Sequence, residues 1–109
     1  MCYIANLPYT DTIKEKLHVL IDLLMSSCVK CTKIVLFGIY ARMEQRVGSD
    51  LDILALTDIE VCREVRGELC SKFDELGSDL IFYTNRVFED SNSLLLQHIK
   101  KEDILLWEN

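Results

Sequence analysis

Residues 33–56, KIVLFGIYARMEQRVGSDLDILAL, decide the fold that the sequence predicts for this chain. They predict a strand, a tight turn, a short helix, a loop and a second strand. Residues 34–37 form an unbroken apolar run of β-branched and aromatic character, which is typical of a strand buried on both faces. Gly38 ends this run, and the good helix formers YARMEQ follow it. We therefore expect the free N–H groups of a helix start at the end of a buried strand, a position that favours an anion.

Two aspartates open the second strand. Asp50 and Asp52 share one face of a strand and lie roughly 6.6 Å apart along the chain. Neighbouring carboxylates repel each other and are costly to desolvate, and a divalent cation removes both costs. The D-x-D pair alone is better explained by solvation of an exposed sheet end. The anion-accepting turn upstream alters that balance, because the two features together predict a site for a metal-bound nucleoside triphosphate.

The stretch GIYARMEQRVGSDLDILAL resembles the signature of the minimal nucleotidyltransferase domains in the DNA polymerase β superfamily, G-S-x10-D-x-D within GSYARGxxxxxSDxDL. Ten residues separate Ile39 from the D-x-D pair, and several residues between also fit the signature: Tyr40, Ala41, Arg42 and Ser49. The segment from 78 to 108 is similar to the part of the family that carries a third carboxylate, here Asp79, then a helix and a short strand.

The resemblance implies an α+β fold, in which a small mixed and twisted sheet, largely antiparallel, is backed by helices as in the polymerase β nucleotidyltransferase core. It implies transfer of a nucleoside monophosphate, with AMP expected, from a nucleoside triphosphate such as ATP to a hydroxyl group. The expected catalytic residues and Mg²⁺ ligands are Asp50, Asp52 and Asp79. The expected nucleotide-binding residues are Gly38, Ile39, Arg42 and Ser49. For Arg42, a structural ion pair explains the residue equally well.

Two positions depart from the family pattern. The serine whose hydroxyl contacts the triphosphate is replaced by Ile39, and the glycine after Ala-Arg is replaced by Met43. A lost charge-assisted hydrogen bond is worth about 1.5–3 kcal/mol, which is tenfold to more than a hundredfold in binding. We expect metal binding to persist and nucleotide binding to be weakened or abolished.

Resemblance to stand-alone members of the family implies an antitoxin role. Such proteins pair with a HEPN-domain ribonuclease toxin and modify a tyrosine on it. The alternative is a binding module of the same fold that has lost catalysis through Ile39 and neutralises its partner by docking alone.

Composition limits the other possibilities. The 109 residues predict one domain, 1–109. A net charge of -6 disfavours a nucleic acid substrate. No signal peptide or membrane-spanning run is predicted, so a cytoplasmic protein without a membrane partner is expected. Half of the residues are hydrophobic, which suits a partner that covers apolar surface.

The remaining elements follow from hydrophobic periodicity and capping residues. Helices are predicted over 12–27 and 59–76, with Thr10 or Asp11 capping the first and Asp58 the second. A third strand is predicted over 78–84, a turn or short helical connection over 85–90, and a final helix from a Ser91 cap to residue 101. The ending DILLWE is expected to add an edge strand or to dock along the sheet. Gly67 is expected to mark close packing of the second helix on the sheet.

Overall fold

The computed structural model describes residues 1–109 and contains four strands and four α-helices after a short 3-10 turn at Ile4–Asn6. In chain order the elements are α1 (Asp11–Met25), β1 (Cys31–Phe37), β2 (Leu51–Thr57), α2 (Arg63–Glu75), β3 (Ser78–Thr84), α3 (Asn85–Asp90), α4 (Leu94–Glu102) and β4 (Ile104–Glu108). No helix is both long and apolar enough to cross a membrane.

The strands form one mixed sheet with the order β3-β2-β1-β4. β1 pairs antiparallel with both β2 and β4, whereas β2 and β3 are parallel and are joined by α2. The predicted small, mixed and largely antiparallel sheet is therefore confirmed. The parallel pair matters most for function, because it brings the starts of β2 and β3 to the same edge of the sheet.

Helices cover both faces of the sheet. On one face, α1 and α2 pack side chains such as Leu24 and Phe73 against Leu51 and Ile53 of β2. On the other face, Leu96 and Ile99 of α4 pack against alternate residues of β1 and β2. This double coverage is the physical reason for the unbroken apolar run in β1, because Ile34, Val35 and Leu36 are buried on one face or the other.

Helix boundaries differ from the predictions where side chains make other contacts. Thr10 caps α1 as predicted, since its hydroxyl accepts a hydrogen bond from the Ile13 amide at 3.3 Å. The second helix, predicted from residue 59, begins only at Arg63, because the Thr57 hydroxyl donates to the Ile59 carbonyl and holds a turn there. The predicted cap of that helix, Asp58, instead accepts a hydrogen bond from Asn85 at 2.9 Å.

Two further predictions are wrong. A Cβ on Gly67 would meet nothing within 4 Å, so this glycine does not mark close packing on the sheet. The last helix is capped by Ser93, whose hydroxyl accepts from the Leu96 amide at 3.3 Å, and not by Ser91. The preceding residues form α3 instead, with Thr84 as its cap.

The short helix predicted for YARMEQ does not form. Residues 38–43 make two overlapping turns, in which the Arg42 amide donates to the Gly38 carbonyl at 3.1 Å and the Glu44 amide donates to the Ile39 carbonyl at 3.0 Å. Met43 has a φ of 59°, a left-handed conformation that ends the turn before a helix can propagate. The prediction is wrong because helix propensity is a weak local preference that tertiary contacts override.

Replacing Met43 with glycine should stabilise the protein by about 1 kcal/mol, because a left-handed conformation costs a non-glycine residue roughly 1–2 kcal/mol. Urea denaturation measures this change in the free energy of unfolding. Met43→Ala is the matched control, since it removes the side chain but keeps the strain, and it should not stabilise. Equal behaviour of the two variants would contradict the assignment of strain to this residue.

Candidate functional site

Three acidic side chains come together where β2 and β3 begin. Asp52 and Asp79 are direct partners in the parallel register, and Asp50 lies immediately before β2. The pKa of Asp52 is raised, first by burial and then by the charges of Asp79 and Asp50 and a hydrogen bond with Asp79. The structure thus brings the three predicted carboxylates into electrostatic contact.

Gly38 joins the turn after β1 to these carboxylates. Its φ is 75°, a conformation that favours glycine, and a Cβ built on it would lie 3.1 Å from Cγ of Asp52 and closer still to Oδ2. The backbone of the turn therefore packs directly against the Asp52 carboxylate, and only glycine fits there. An anion received by the amides of this turn would adjoin the carboxylates.

Two tyrosines anchor the same turn. The Tyr9 hydroxyl donates to the Tyr40 carbonyl at 2.6 Å in a buried hydrogen bond, and the two rings meet edge to face with centroids 5.8 Å apart. Burial raises the pKa of the Tyr9 phenol, so this hydroxyl keeps its proton and remains a donor at neutral pH. Tyr40 is a packing residue of the core, as its place in the cluster beneath the sheet shows.

Arg42 makes the structural ion pair that the sequence allows, and its nucleotide-binding role stays a prediction. Its guanidinium makes salt bridges to Glu102 at 3.1 Å and to Glu44 at 3.6 Å, so it is a structural ion pair. It is also close enough to the cluster that its charge opposes the rise in the pKa of Asp52. Glu102, which orients Arg42 from the end of α4, is a residue of this region that the sequence did not indicate.

Ile39 and Ser49 lie at the ends of the segment between the two strands. The Ile39 side chain is 39% exposed on the turn, although its backbone is fixed by the bond to Glu44. The Ser49 hydroxyl accepts a hydrogen bond from the Arg46 amide at 2.9 Å, so it stabilises a local turn in front of Asp50. No hydrogen bond joins the Ser49 hydroxyl to the three carboxylates.

Lys16 is a second residue beside the cluster that the sequence did not indicate. A Cβ on Gly77 would lie 3.0 Å from its Nζ and 3.9 Å from Oδ1 of Asp50. Lys16 lies on α1, more than thirty residues before the aspartates, and one lysine in an amphipathic helix carries no sequence signal of such a contact.

The donor set suits Mg²⁺ bound together with a nucleotide. No group of three or more histidine, cysteine, aspartate or glutamate side chains is arranged to hold a metal ion by itself. Mg²⁺ differs from metals that need a complete protein cage, because it is usually held by one or two carboxylates plus substrate phosphates. Asp52 and Asp79 adjoin each other and repel each other electrostatically. They are therefore suited to hold Mg²⁺ together with substrate phosphates.

Comparison with known proteins agrees with this geometry. No protein-family model and no curated protein matches the chain. Among solved structures, a toxin–antitoxin complex with AMP-PNP matches with a TM-score of 0.65 and 28% identity over 85% of this chain and 73% of that chain. A complex of the tri-AMPylated Shewanella oneidensis HEPN toxin with its MNT antitoxin matches with a TM-score of 0.63 and 26% identity over 88% of this chain and 72% of that chain.

A protein from Sulfolobus solfataricus assigned as a nucleotidyltransferase shares the fold, with a TM-score of 0.57 and 19% identity over 94% of this chain and 93% of that chain. The resemblance to minimal nucleotidyltransferase domains is therefore confirmed, and so is the nucleotidyltransferase fold.

Proposed function

We propose that this chain, which has the fold of a minimal nucleotidyltransferase domain, transfers AMP from ATP to a hydroxyl group on a partner protein. The observation that carries the proposal is the convergence of Asp50, Asp52 and Asp79 beside the Gly38 turn. Residues 1–109 act as one catalytic domain in this proposal.

Each group has a distinct task. Asp50 and Asp52 would hold Mg²⁺ together with the phosphates, and Asp79 would complete the metal site and take up the proton of the acceptor hydroxyl. The backbone of the Gly38 turn, with the amide of Ile39, orients the triphosphate, and the charge of Arg42 attracts it. Ser49 holds the turn that precedes Asp50. When bound, Mg²⁺ supplies charge stabilisation to an in-line displacement. The acceptor oxygen forms a bond to the α-phosphorus, the bond from that phosphorus to the bridging oxygen breaks, and pyrophosphate leaves.

The proposed acceptor is a tyrosine on a HEPN-type toxin, which makes the chain an antitoxin. Two of the matching structures support this choice, since one is a toxin–antitoxin complex with AMP-PNP and the other contains an AMPylated HEPN toxin. The surface of the chain also suits a protein partner. Several large apolar side chains are exposed, among them Ile59 at 78% and Leu94 at 74%.

Incubation of the chain with ATP labelled at the α-phosphate, Mg²⁺ and the purified HEPN partner tests the proposal. Label should appear on the partner, and a partner with its acceptor tyrosine replaced by phenylalanine should stay unlabelled. Omission of Mg²⁺ should abolish labelling. Absence of label on the partner at any ATP concentration would reject the enzymatic function.

The alternative is a binding module of the same fold that neutralises its partner by docking alone. Ile39 favours this alternative, because an exposed apolar side chain stands where the family has a phosphate-binding hydroxyl. Calorimetry with ATP and Mg²⁺ separates the two functions. Micromolar binding supports the enzyme, and no binding at millimolar nucleotide supports the module.

Replacing Ile39 with serine should tighten binding of Mg²⁺ and ATP about tenfold or more, since a hydrogen bond to a charged group is worth about 1.5–3 kcal/mol. Calorimetric titration measures the dissociation constant. Val47→Ser is the matched control, because it places a serine on a fully exposed loop residue of the same segment and should leave binding unchanged. Unchanged affinity in Ile39→Ser would show that the missing hydroxyl is not the defect.

The net charge supports a protein acceptor, and the free cysteines support a reducing compartment. The net charge of -6 repels the phosphates of DNA and RNA, which argues for a protein acceptor. All five cysteines are free thiols, as a reducing compartment such as the cytoplasm maintains them.

A further inference from the structure

Lys16 approaches the carboxylate cluster from the side of β3. It is a half-buried residue of α1, next to the fully buried Leu17. Its ammonium group and the Asp50 carboxylate both lie within 4 Å of one point beside the backbone of Gly77. A positive group and a predicted metal ligand therefore flank the same corner of the sheet.

The backbone at Gly77 keeps this corner open. Its φ is 70°, which favours glycine, and its carbonyl accepts a hydrogen bond from the Leu51 amide at 3.3 Å, which ties it to β2 next to Asp50. A side chain on Gly77 would occupy the space that Lys16 Nζ now borders, at 3.0 Å. The glycine thus leaves room for the Lys16 ammonium group near Asp50.

The protein leaves the donors of Lys16 unused. Lys16 takes part in none of the salt bridges, and the lysine side-chain hydrogen bonds are made by Lys14 and Lys100. An ammonium group has three N–H donors, and those of Lys16 have no acceptor within the protein. Arg42, the other cation near the cluster, is already bound by two glutamates. Lys16 is therefore the cation of this region whose donors are available to an anionic ligand.

The sheet order places the Gly38 turn on one side of the aspartates and Lys16, beside Gly77, on the other side. The Gly38 turn follows β1 on one side of β2, and Gly77 precedes β3 on the other side. Lys16 belongs to α1, on the sheet face to which Leu51 points, and its Nζ lies near Asp50 at the end of the sheet. A polyphosphate that runs from the Gly38 turn past Asp52 and Asp50 would come near Lys16. Electrostatics favour that path, because a phosphate chain gains a cation at its far end.

We propose that Lys16 is a nucleotide-binding residue that donates a hydrogen bond to a phosphate oxygen of the metal-bound nucleoside triphosphate, from the side of the cluster opposite the Gly38 turn. This inference rests on the proposed function and adds a residue that the sequence motif does not contain.

Calorimetric titrations of four proteins test the proposal: wild type, Lys16→Met, Lys16→Arg and Lys30→Met. Each is titrated with ATP in the presence of Mg²⁺, with tripolyphosphate in the presence of Mg²⁺, and with Mn²⁺ alone. Lys30→Met is the matched control, because it removes an exposed lysine just before β1, at the opposite end of the sheet.

Lys16→Met should bind ATP and tripolyphosphate at least about tenfold more weakly, in line with loss of a charge-assisted hydrogen bond. It should bind Mn²⁺ alone as tightly as wild type or more tightly, because a cation beside Asp50 has been removed. Lys16→Arg should stay within about threefold of wild type, since it keeps the charge and the donors. Lys30→Met should match wild type with all three ligands.

Weaker binding of ATP and tripolyphosphate, together with equal or tighter binding of Mn²⁺, separates phosphate binding from a structural role. If Lys16 only supports the folding of this end of the sheet, Lys16→Met will lower the thermal melting temperature and weaken the binding of all three ligands together, which overturns the inference. Unchanged binding of ATP by Lys16→Met also overturns it, while the proposed function stands as long as wild type labels its partner. A wild-type chain that binds neither ATP nor tripolyphosphate overturns both.

Discussion

Replacing Asp52 with asparagine should lower the rate of nucleotidyl transfer by about a hundredfold to a thousandfold. The Gly38 backbone packs against the Asp52 carboxylate, and the charges of Asp50 and Asp79 raise the pKa of Asp52. An amide cannot replace the negative charge of a metal ligand, and loss of one preorganised electrostatic group in an active site has an effect of this size. Initial rates of label transfer to the partner measure the loss.

Asp58→Asn is the matched control for this prediction. It makes the same change in charge just beyond the opposite end of β2, and an asparagine there can still accept the hydrogen bond from Asn85. Transfer by Asp58→Asn should equal that of wild type. Equal rates for Asp52→Asn and wild type would remove the carboxylate cluster from the mechanism.

The same Asp52→Asn variant should be at least as stable as wild type in metal-free buffer at neutral pH. The pKa of Asp52 is raised above its usual value of 3.8 by burial and by neighbouring carboxylates, so the folded state holds this proton more strongly than the unfolded state does. The stability that Asp52 contributes is complete below its unfolded pKa and is lost as the pH rises through the folded pKa.

The asparagine of this variant does not titrate, so the advantage of the variant should grow over that pH range and then level off. Urea denaturation with a chelator present, repeated at several pH values, measures it. A variant less stable than wild type at neutral pH, with the deficit increasing with pH, would contradict the direction of this shift.

Replacing Gly38 with alanine should lower transfer about a hundredfold and destabilise the protein by about 1–2 kcal/mol. The added Cβ would lie 3.1 Å from Cγ of Asp52, so the carboxylate must move, and the φ of 75° is strained for alanine. A displacement of about 1 Å in a reacting geometry is enough for an effect of this size. Transfer rates and urea denaturation measure the two parts separately.

Gly48→Ala isolates the steric part of this effect. Gly48 has a φ of 86°, so alanine there suffers similar backbone strain, but its Cβ would meet nothing within 4 Å. It should lose about the same stability and keep its transfer activity. If Gly48→Ala loses as much activity as Gly38→Ala, the contact between Gly38 and Asp52 has no special importance.

The sequence predicted the strands better than the helices. The third strand was predicted over the residues it occupies, Ser78–Thr84, and the apolar runs marked both central strands. Helix ends were less accurate, because side-chain hydrogen bonds decide them: the Thr57 hydroxyl delays α2, and Ser93 starts α4. The predicted helix after Gly38 is absent, because Met43 adopts a left-handed conformation that no propensity scale indicates.

The sequence by itself determined the chemistry available to the site: two aspartates at strand spacing, a glycine at the end of a buried strand, and an isoleucine in place of a serine. These are local features, and the periodicity of one strand is enough to place them on a shared face. The family resemblance implied that Asp79 joins this pair, but only the tertiary structure decided that Asp79 is the register partner of Asp52, that the Gly38 backbone packs on the Asp52 carboxylate, and that Lys16 and Glu102 lie in the same region. Those contacts join residues far apart in the chain, and they depend on the parallel pairing of β2 with β3 and on the packing of α1 and α4, which no local pattern specifies.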